Sequence, residues 1–344
     1  MRFGLYFELQ CPPGKDHAQV YREAMQQVEA GDALGFDVVS MVEHHCKEQF
    51  SISANPLAFF AAMAQRTKRI RFRTALHTLA LHHPLHLAGQ IAAADILTGG
   101  RLECGLGRGH PWNFISAGVP MEESRDRFEE GLKVLEMAWN EPAVNFEGRY
   151  HSYANQVVVP KPLQKPHPKF YMKVGDPRIA QRGWGVLVPP VYPHAEVAER
   201  LATYDRDCRT HGHTPDIVYL RAVYMDEDPA QARREAGEAL RNFLAFNASP
   251  VATLPGKEEL EKKGYGFYAT GALENLARLS LDEIIEREIA FVGTPEQVTR
   301  QIAGIQAVPG IGELCVIANF GGIEHWKTMK TMQLLAEKVM PAFR

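Results

Sequence analysis

The chain lacks most of the features that would place it outside ordinary globular chemistry. Its five cysteines, Cys11, Cys46, Cys104, Cys208 and Cys315, are odd in number and widely scattered. That excludes a disulfide framework and reads as reduced thiols in a cytoplasmic protein. Neither charge is in excess, since 38 Lys and Arg face 41 Asp and Glu for a formal net charge of -3. No segment gathers the basic side chains that a nucleic-acid partner would need. No apolar run approaches membrane-spanning length, and the opening Met1-Arg2-Phe3-Gly4-Leu5 reads as a strand, not as a targeting segment. Neither a His-Glu-x-x-His motif nor a spaced cysteine set is present, so no metal is expected. Gly105-Leu106-Gly107-Arg108-Gly109 follows an apolar run, but it continues into His110-Pro111-Trp112-Asn113-Phe114, which reads as non-helical. It is therefore a poor dinucleotide fingerprint. No internal repeat or low-complexity linker divides the 344 residues, which are expected to form one domain over 1–344.

What the chain does have is a βα rhythm. Arg2 to Leu9 reads as a strand, and Asp16 to Leu34 carries Val20, Ala24, Val28 and Leu34 at helical spacing. The pair repeats through Phe36 to Val42, then Asn55-Pro56 onward, then Ile70 to Leu76, then His83-Pro84 onward, then Arg101 to Leu106. Strands five to eight are placed at Lys169 to Val174, Gly185 to Val188, Ile217 to Tyr224 and Glu313 to Ala318. A hairpin is expected around Glu147-Gly148 within the long segment from Asn145 to Pro168. Thr294-Pro295-Glu296-Gln297 has the spacing of a capped helix start. Residues 247–287 break the rhythm and read as an insertion, either a lid or a packed helical excursion. Eight strands in this order predict a parallel (β/α)8 TIM barrel, with a doubly wound open sheet as the alternative.

In such a barrel the strand ends form the working face. The second strand delivers Glu43, His44 and His45, and side-chain alternation puts Glu43 and His45 on one side and His44 on the other. Imidazole titrates near neutrality, so either histidine is an acid/base candidate as well as a structural hydrogen-bonding group. His77, His82, His83 and His86 add to a histidine-rich neighbourhood, but no His-x-His pair ends the first strand, which disfavours a metal hydrolase. Arg108 after the fourth strand, with Arg125 and Arg127 at the next helix start, makes an anion site plausible beside the simpler reading of solvated charges. Phe7, Trp112, Phe114, Tyr265 and Phe267 are candidates for an apolar pocket wall or for ordinary core packing.

Taken in order, these motifs resemble the bacterial luciferase-like flavin monooxygenase family over almost the whole chain. The resemblance rests on Met1-Arg2-Phe3-Gly4, Gly35-Phe36-Asp37 leading to Glu43-His44-His45, His83-Pro84, and Gly99-Gly100-Arg101 leading to Gly107-Arg108-Gly109. It continues through Ser124-Arg125, Pro160 to Pro168, Val292-Gly293-Thr294-Pro295-Glu296 and Met340-Pro341. The resemblance implies a barrel that takes reduced FMN as cosubstrate and reacts it with molecular oxygen to a flavin C4a-hydroperoxide, which oxygenates a small organic substrate. It implies His44 as the catalytic histidine, Glu43 as support on the flavin side, and Arg108 and Arg125 as phosphate ligands. It also implies a non-proline cis peptide at Ala75-Leu76, a separate NAD(P)H:flavin reductase as partner, and a homodimer or related heterodimer.

Two departures stand out. The loop after strand five, which in the family helps hold phosphate, is shortened to Gly175-Asp176-Pro177-Arg178, where Asp176 repels an anion unless a cation such as Arg178 intervenes. Gly107 stands where luciferases carry a flavin-adjacent cysteine, so light emission is not implied. A deazaflavin-dependent oxidoreductase on the same fold and a catalytically silent flavin-binding subunit remain the rival expectations.

Overall fold

A computed structural model describes residues 1–306 and 308–344. Eight parallel strands close on themselves: β1 (Arg2–Phe7), β2 (Val38–Met41), β3 (Arg71–Thr74), β4 (Leu102–Gly107), β5 (Phe170–Lys173), β6 (Gly185–Val188), β7 (Ile217–Met225) and β8 (Ile311–Ile317). Each pairs with the next, and β8 returns to β1 with Arg2 opposite Glu313 and Leu5 opposite Val316. The closed barrel excludes the open-sheet alternative.

Local signals explain why the helices start and stop where they do. Asp16 accepts from the Gln19 amide at the start of His17–Leu34, and Gly35, at φ 90°, closes that helix. Asn55 caps Pro56–Ala64 in the same way. Thr294 and Gln297 form the capping box expected for Pro295–Ile305. The hairpin is present as Val144–Glu147 paired antiparallel with Ser152–Gln156, outside the barrel.

Two local readings need correction. The residues after Gly109 do form a helix, Pro111–Ala117, with proline in its first turn and Gly118 in a left-handed C-terminal cap. It has only seven residues, too few for the apolar periodicity that reveals longer helices. A ninth parallel strand, Ala290–Gly293, was also missed. It pairs with Ala222–Met225, the far half of β7, while the near half pairs with β6. Its four residues run straight into the capping signal that had been read as a helix start.

Residues 247–287 form short helical pieces, among them Lys257–Lys262, Ala272–Leu276 and Leu281–Glu286. They pack across the end of the barrel from which β1, β2 and β4 deliver their last side chains. No helix of the described residues is long and apolar enough to cross a membrane.

Candidate active site

The barrel mouth encloses a cavity of about 370 Å³, within the size range of small-molecule sites. The ends of β1, β2, β4 and β5 line it, and Tyr265, Phe267, Tyr268 and Leu273 from the 247–287 segment cover it. Of the five aromatic candidates, Trp112, Tyr265 and Phe267 face the cavity, whereas Phe7 and Phe114 lie in the hydrophobic core.

Glu43 and His44 both line the cavity, yet their environments are opposite. The Glu43 carboxylate accepts from His45 Nε2 at 3.0 Å, His77 Nδ1 at 2.7 Å, His82 Nε2 at 2.8 Å and the Thr78 amide at 3.3 Å. Burial alone would raise its pKa, but the three imidazoles outweigh burial and hold it well below the usual carboxylate range. Glu43 and His45 are therefore joined, although β2 ends at Met41 and strand alternation does not extend to them. His44 packs against Phe50, with ring centroids 4.4 Å apart and the planes tilted by 49°, and approaches His110 at 5.2 Å. Its Nδ1 is buried without a hydrogen-bond partner. Burial lowers its pKa to about 4, against opposing pulls from the Glu43 carboxylate and the neighbouring Asn113 side chain, so the imidazole is neutral at pH 7.

His77 and His82 were visible in sequence only as members of a histidine-rich stretch. Their role as donors to Glu43 depends on the chain after β3 folding back over the end of β2, which no local pattern encodes. The ligand atoms of Glu43, His77 and His82 lie within 4.8 Å of one another, a spacing a cation could also occupy. Their hydrogen bonds already engage the carboxylate oxygens in this arrangement.

The Ala75-Leu76 peptide is cis, and both residues line the cavity. Gly107 packs against Leu76, where an added Cβ would come within 2.9 Å of the leucine Cδ1. A closer restriction applies at Gly105, where a Cβ would meet the Thr74 carbonyl at 2.0 Å. Arg108 lines the cavity, donates to the Gly264 carbonyl at 2.8 Å and lies 4.1 Å over the Tyr265 ring. Its charge meets a carbonyl dipole and a π-face there.

The other predicted residues are placed differently. Arg125 is exposed in the first turn of Ser124–Asn140, outside the cavity lining. Gly175 and Asp176 are also outside it, and Asp176 caps the short helix Pro177–Gln181. Arg178 reaches both Asp176, at 2.5 Å, and Glu129, at 2.6 and 2.7 Å, so this cation is already matched by two carboxylates. Electrostatic pull from Arg125 contributes to lowering the Asp176 pKa, after the hydrogen bonds from Arg178.

A family model described as luciferase-like monooxygenase matches residues 1–310. The chain belongs to the luciferase-like monooxygenase family. The oxygenase component of the flavin-dependent trigonelline monooxygenase of Acinetobacter baylyi is 26% identical, covering 100% of this chain and 96% of that one. The alkanal monooxygenase alpha chain of the Kryptophanaron alfredi symbiont is 24% identical over 99% and 98% of the two chains. Among solved structures, a Streptomyces bottropensis monooxygenase matches with 30% identity and a TM-score of 0.85 over 100% of both chains. The luciferase-like barrel is also shared with the F420-dependent tetrahydromethanopterin reductase of Methanopyrus kandleri, at 18% identity, 100% and 99% coverage and a TM-score of 0.70. Membership therefore establishes a flavin-dependent monooxygenase family, while the fold alone extends to deazaflavin enzymes.

Proposed function

We propose that this protein is the oxygenase of a two-component system, taking reduced FMN from a separate NAD(P)H:flavin reductase and using oxygen to oxygenate a small organic substrate. The observation that carries the reading is the neutral, buried His44, whose Nδ1 has no partner, beside a carboxylate held ionised by three imidazoles. Unsatisfied buried polar atoms cost stability, so their presence at a cavity favours a ligand that satisfies them. The residues fit a flavin: Ala75, Leu76 and Gly107 line the cavity with little side-chain bulk beyond Leu76, and Arg108, with Arg125 outside the lining, supplies positive charge for its phosphate. Gly175 and Asp176 sit in the shortened loop, which adds no cation beyond the paired Arg178.

Bound reduced FMN would supply the electrons that activate oxygen. The chain's own contribution is to exclude water beneath Tyr265, Phe267 and Tyr268, to fix the Glu43 network, and to move a proton at His44 Nδ1. We assign residues 247–287 as the lid of that site. Oligomerisation as a dimer and a cytoplasmic setting remain part of the same reading. Oxygen uptake tested with reduced FMN and with reduced F420 decides between the two cofactor chemistries. FMN-dependent uptake supports the monooxygenase. Hydride transfer from F420 without oxygen would replace it, and flavin binding without turnover would identify a silent subunit.

A further inference from the structure

A second carboxyl enters the cavity and has no part in the flavin-side network. Glu8 follows β1, is 3% exposed, and lines the same cavity beside Tyr6, Val42 and Leu220. Two amide groups hold it. Gln10 Nε2 donates at 3.0 Å and Asn247 Nδ2 at 3.2 Å, and both bonds end on Oε2. Both amides are themselves anchored, Gln10 by accepting from the Gly321 amide at 2.8 Å and Asn247 by donating to the Phe243 carbonyl at 3.0 Å. One oxygen is thus fixed as an acceptor, and the other is directed away from the clamp.

The surroundings of Glu8 are apolar. Tyr6, Val42, Leu187 and Leu220 belong to one buried cluster and line the cavity together. Neither Arg108 nor Lys173, the cations of the cavity lining, bonds to Glu8; their partners are the Gly264 carbonyl and the Tyr192 hydroxyl. Burial raises the Glu8 pKa to about 8, with the Asn247 and Gln10 hydrogen bonds pulling the other way. Near neutral pH the group is therefore chiefly a carboxylic acid, a donor in an otherwise greasy wall.

We propose that Glu8 is a specificity-determining residue whose Oε1 donates a hydrogen bond to a carbonyl oxygen on an otherwise apolar substrate. The inference deepens the monooxygenase reading by naming the substrate class, and rests on that reading only in taking this cavity as the substrate's. A purely structural carboxyl would be expected to divide its bonds between both oxygens. Here Gln10 and Asn247 converge on one and leave the other for the cavity. Glu8 and Glu43 leave the ends of the paired strands β1 and β2, yet they share no hydrogen-bond donor, so a substrate carbonyl at Oε1 would leave the Glu43 network intact.

The test compares acetophenone with α-methylstyrene, near-isosteres that differ in the carbonyl oxygen, by isothermal titration calorimetry on the full chain with and without FMN. Wild type is expected to bind the ketone about tenfold more tightly, the scale of one hydrogen bond to a buried donor. Glu8→Leu should bring the two probes within about twofold, while Glu8→Gln, which keeps a donor and the clamp, should retain part of the preference. Thermal unfolding of Glu8→Gln checks that the fold survives. Failure of wild type to favour the ketone, by equal binding or by weak binding of both, overturns the proposal, as does an undiminished preference in a folded Glu8→Leu. FMN affinity measured in the same series keeps the two readings apart. A chain that fails to bind FMN yet favours the ketone retains the Glu8 subsite and loses the monooxygenase.

Discussion

The barrel buries carboxylates at both ends, and the two ends treat them differently. Toward the strand starts, Glu103 and Glu313 surround Arg73, which is fully buried and reaches them at 2.6 and 2.7 Å. Arg2 and Arg71 close the network from its rim. Every cation there is a guanidinium, permanently charged and planar, matched to fixed carboxylates. At the strand ends the side chains that bond to Glu43 are imidazoles, a group type whose charge responds to pH near neutrality. Five buried side-chain polar atoms lack a partner among the described residues. Three of them, on His44, His77 and Trp112, belong to cavity-lining residues, and a fourth is on Asn113 beside Trp112. The base is a completed electrostatic lock and the mouth is an incomplete one, which is the division expected of a barrel whose chemistry sits at the strand ends.

The largest effect should come from removing His44, the proposed proton carrier of the incomplete end. His44→Ala is expected to lower substrate oxygenation by about 10²–10⁴-fold, with oxygen diverted to hydrogen peroxide and with the unfolding midpoint nearly unchanged. Product yield per oxygen consumed measures it, and full coupling in the variant would remove His44 from the mechanism.

Breaking the completed end should do the reverse. Arg73→Met removes the buried cation shared by two buried carboxylates, leaving only Arg2 and Arg71 at the rim. It should cost about 3–5 kcal/mol of stability, read as a lower urea midpoint with an unchanged slope. A variant as stable as wild type would mean that the base is not the lock described.

Arg108→Ala sharpens the comparison at the cofactor. The loss of one charge-assisted contact, about 1.5–3 kcal/mol, should weaken FMN binding by about 10–100-fold. Riboflavin, which lacks the phosphate, should bind the variant and wild type alike. Equal losses for the two flavins would move Arg108 from the phosphate to the ring or to packing.

The smallest effect distinguishes the ends by pH. A histidine whose folded pKa is depressed to about 4 from its ordinary value of 6.5 takes up protons more readily when unfolded. The stability it contributes is present above pH 6.5 and is lost as pH falls from 6.5 through 4. Glu103, depressed from 4.5 to about 2 by Arg73, Arg2 and Arg71 against the opposing effect of burial, keeps its contribution through that window and loses it as pH falls from 4.5 through 2. Stability against pH in wild type and His44→Phe should therefore diverge between pH 6.5 and 4, and parallel curves would contradict the burial of a neutral His44.

The frame of the barrel was legible because its eight strands read as apolar runs bounded by turn residues, most with a helix after them, whereas the ion pairs at its base carry no such local signal. Strand alternation does not reach Glu43, His44 and His45, because β2 ends at Met41, but the three were legible as a cluster after an apolar run. The pairing of Glu43 with His77 and His82, 34 and 39 residues away, was not, because only the closed fold brings these strands' ends together. Arg178 offered itself as a phosphate ligand in sequence, but Glu129, 49 residues earlier, had no local feature to mark it as a competing partner. Glu8 went unsingled because one acidic residue after an apolar strand reads as solvent-exposed. Its burial depends on Asn247, 239 residues later.

The central claim is that the mouth's unsatisfied groups exist to manage oxygen at a bound flavin, and one substrate-free measurement reaches it. Enzyme loaded with reduced FMN is mixed with oxygen in a stopped-flow instrument, following flavin oxidation and hydrogen peroxide release together in wild type and His44→Ala. Wild type should consume reduced flavin before peroxide appears, and the variant should shorten that lag. Peroxide release that keeps pace with flavin oxidation in wild type, or a lag that His44→Ala leaves unchanged, would contradict the account.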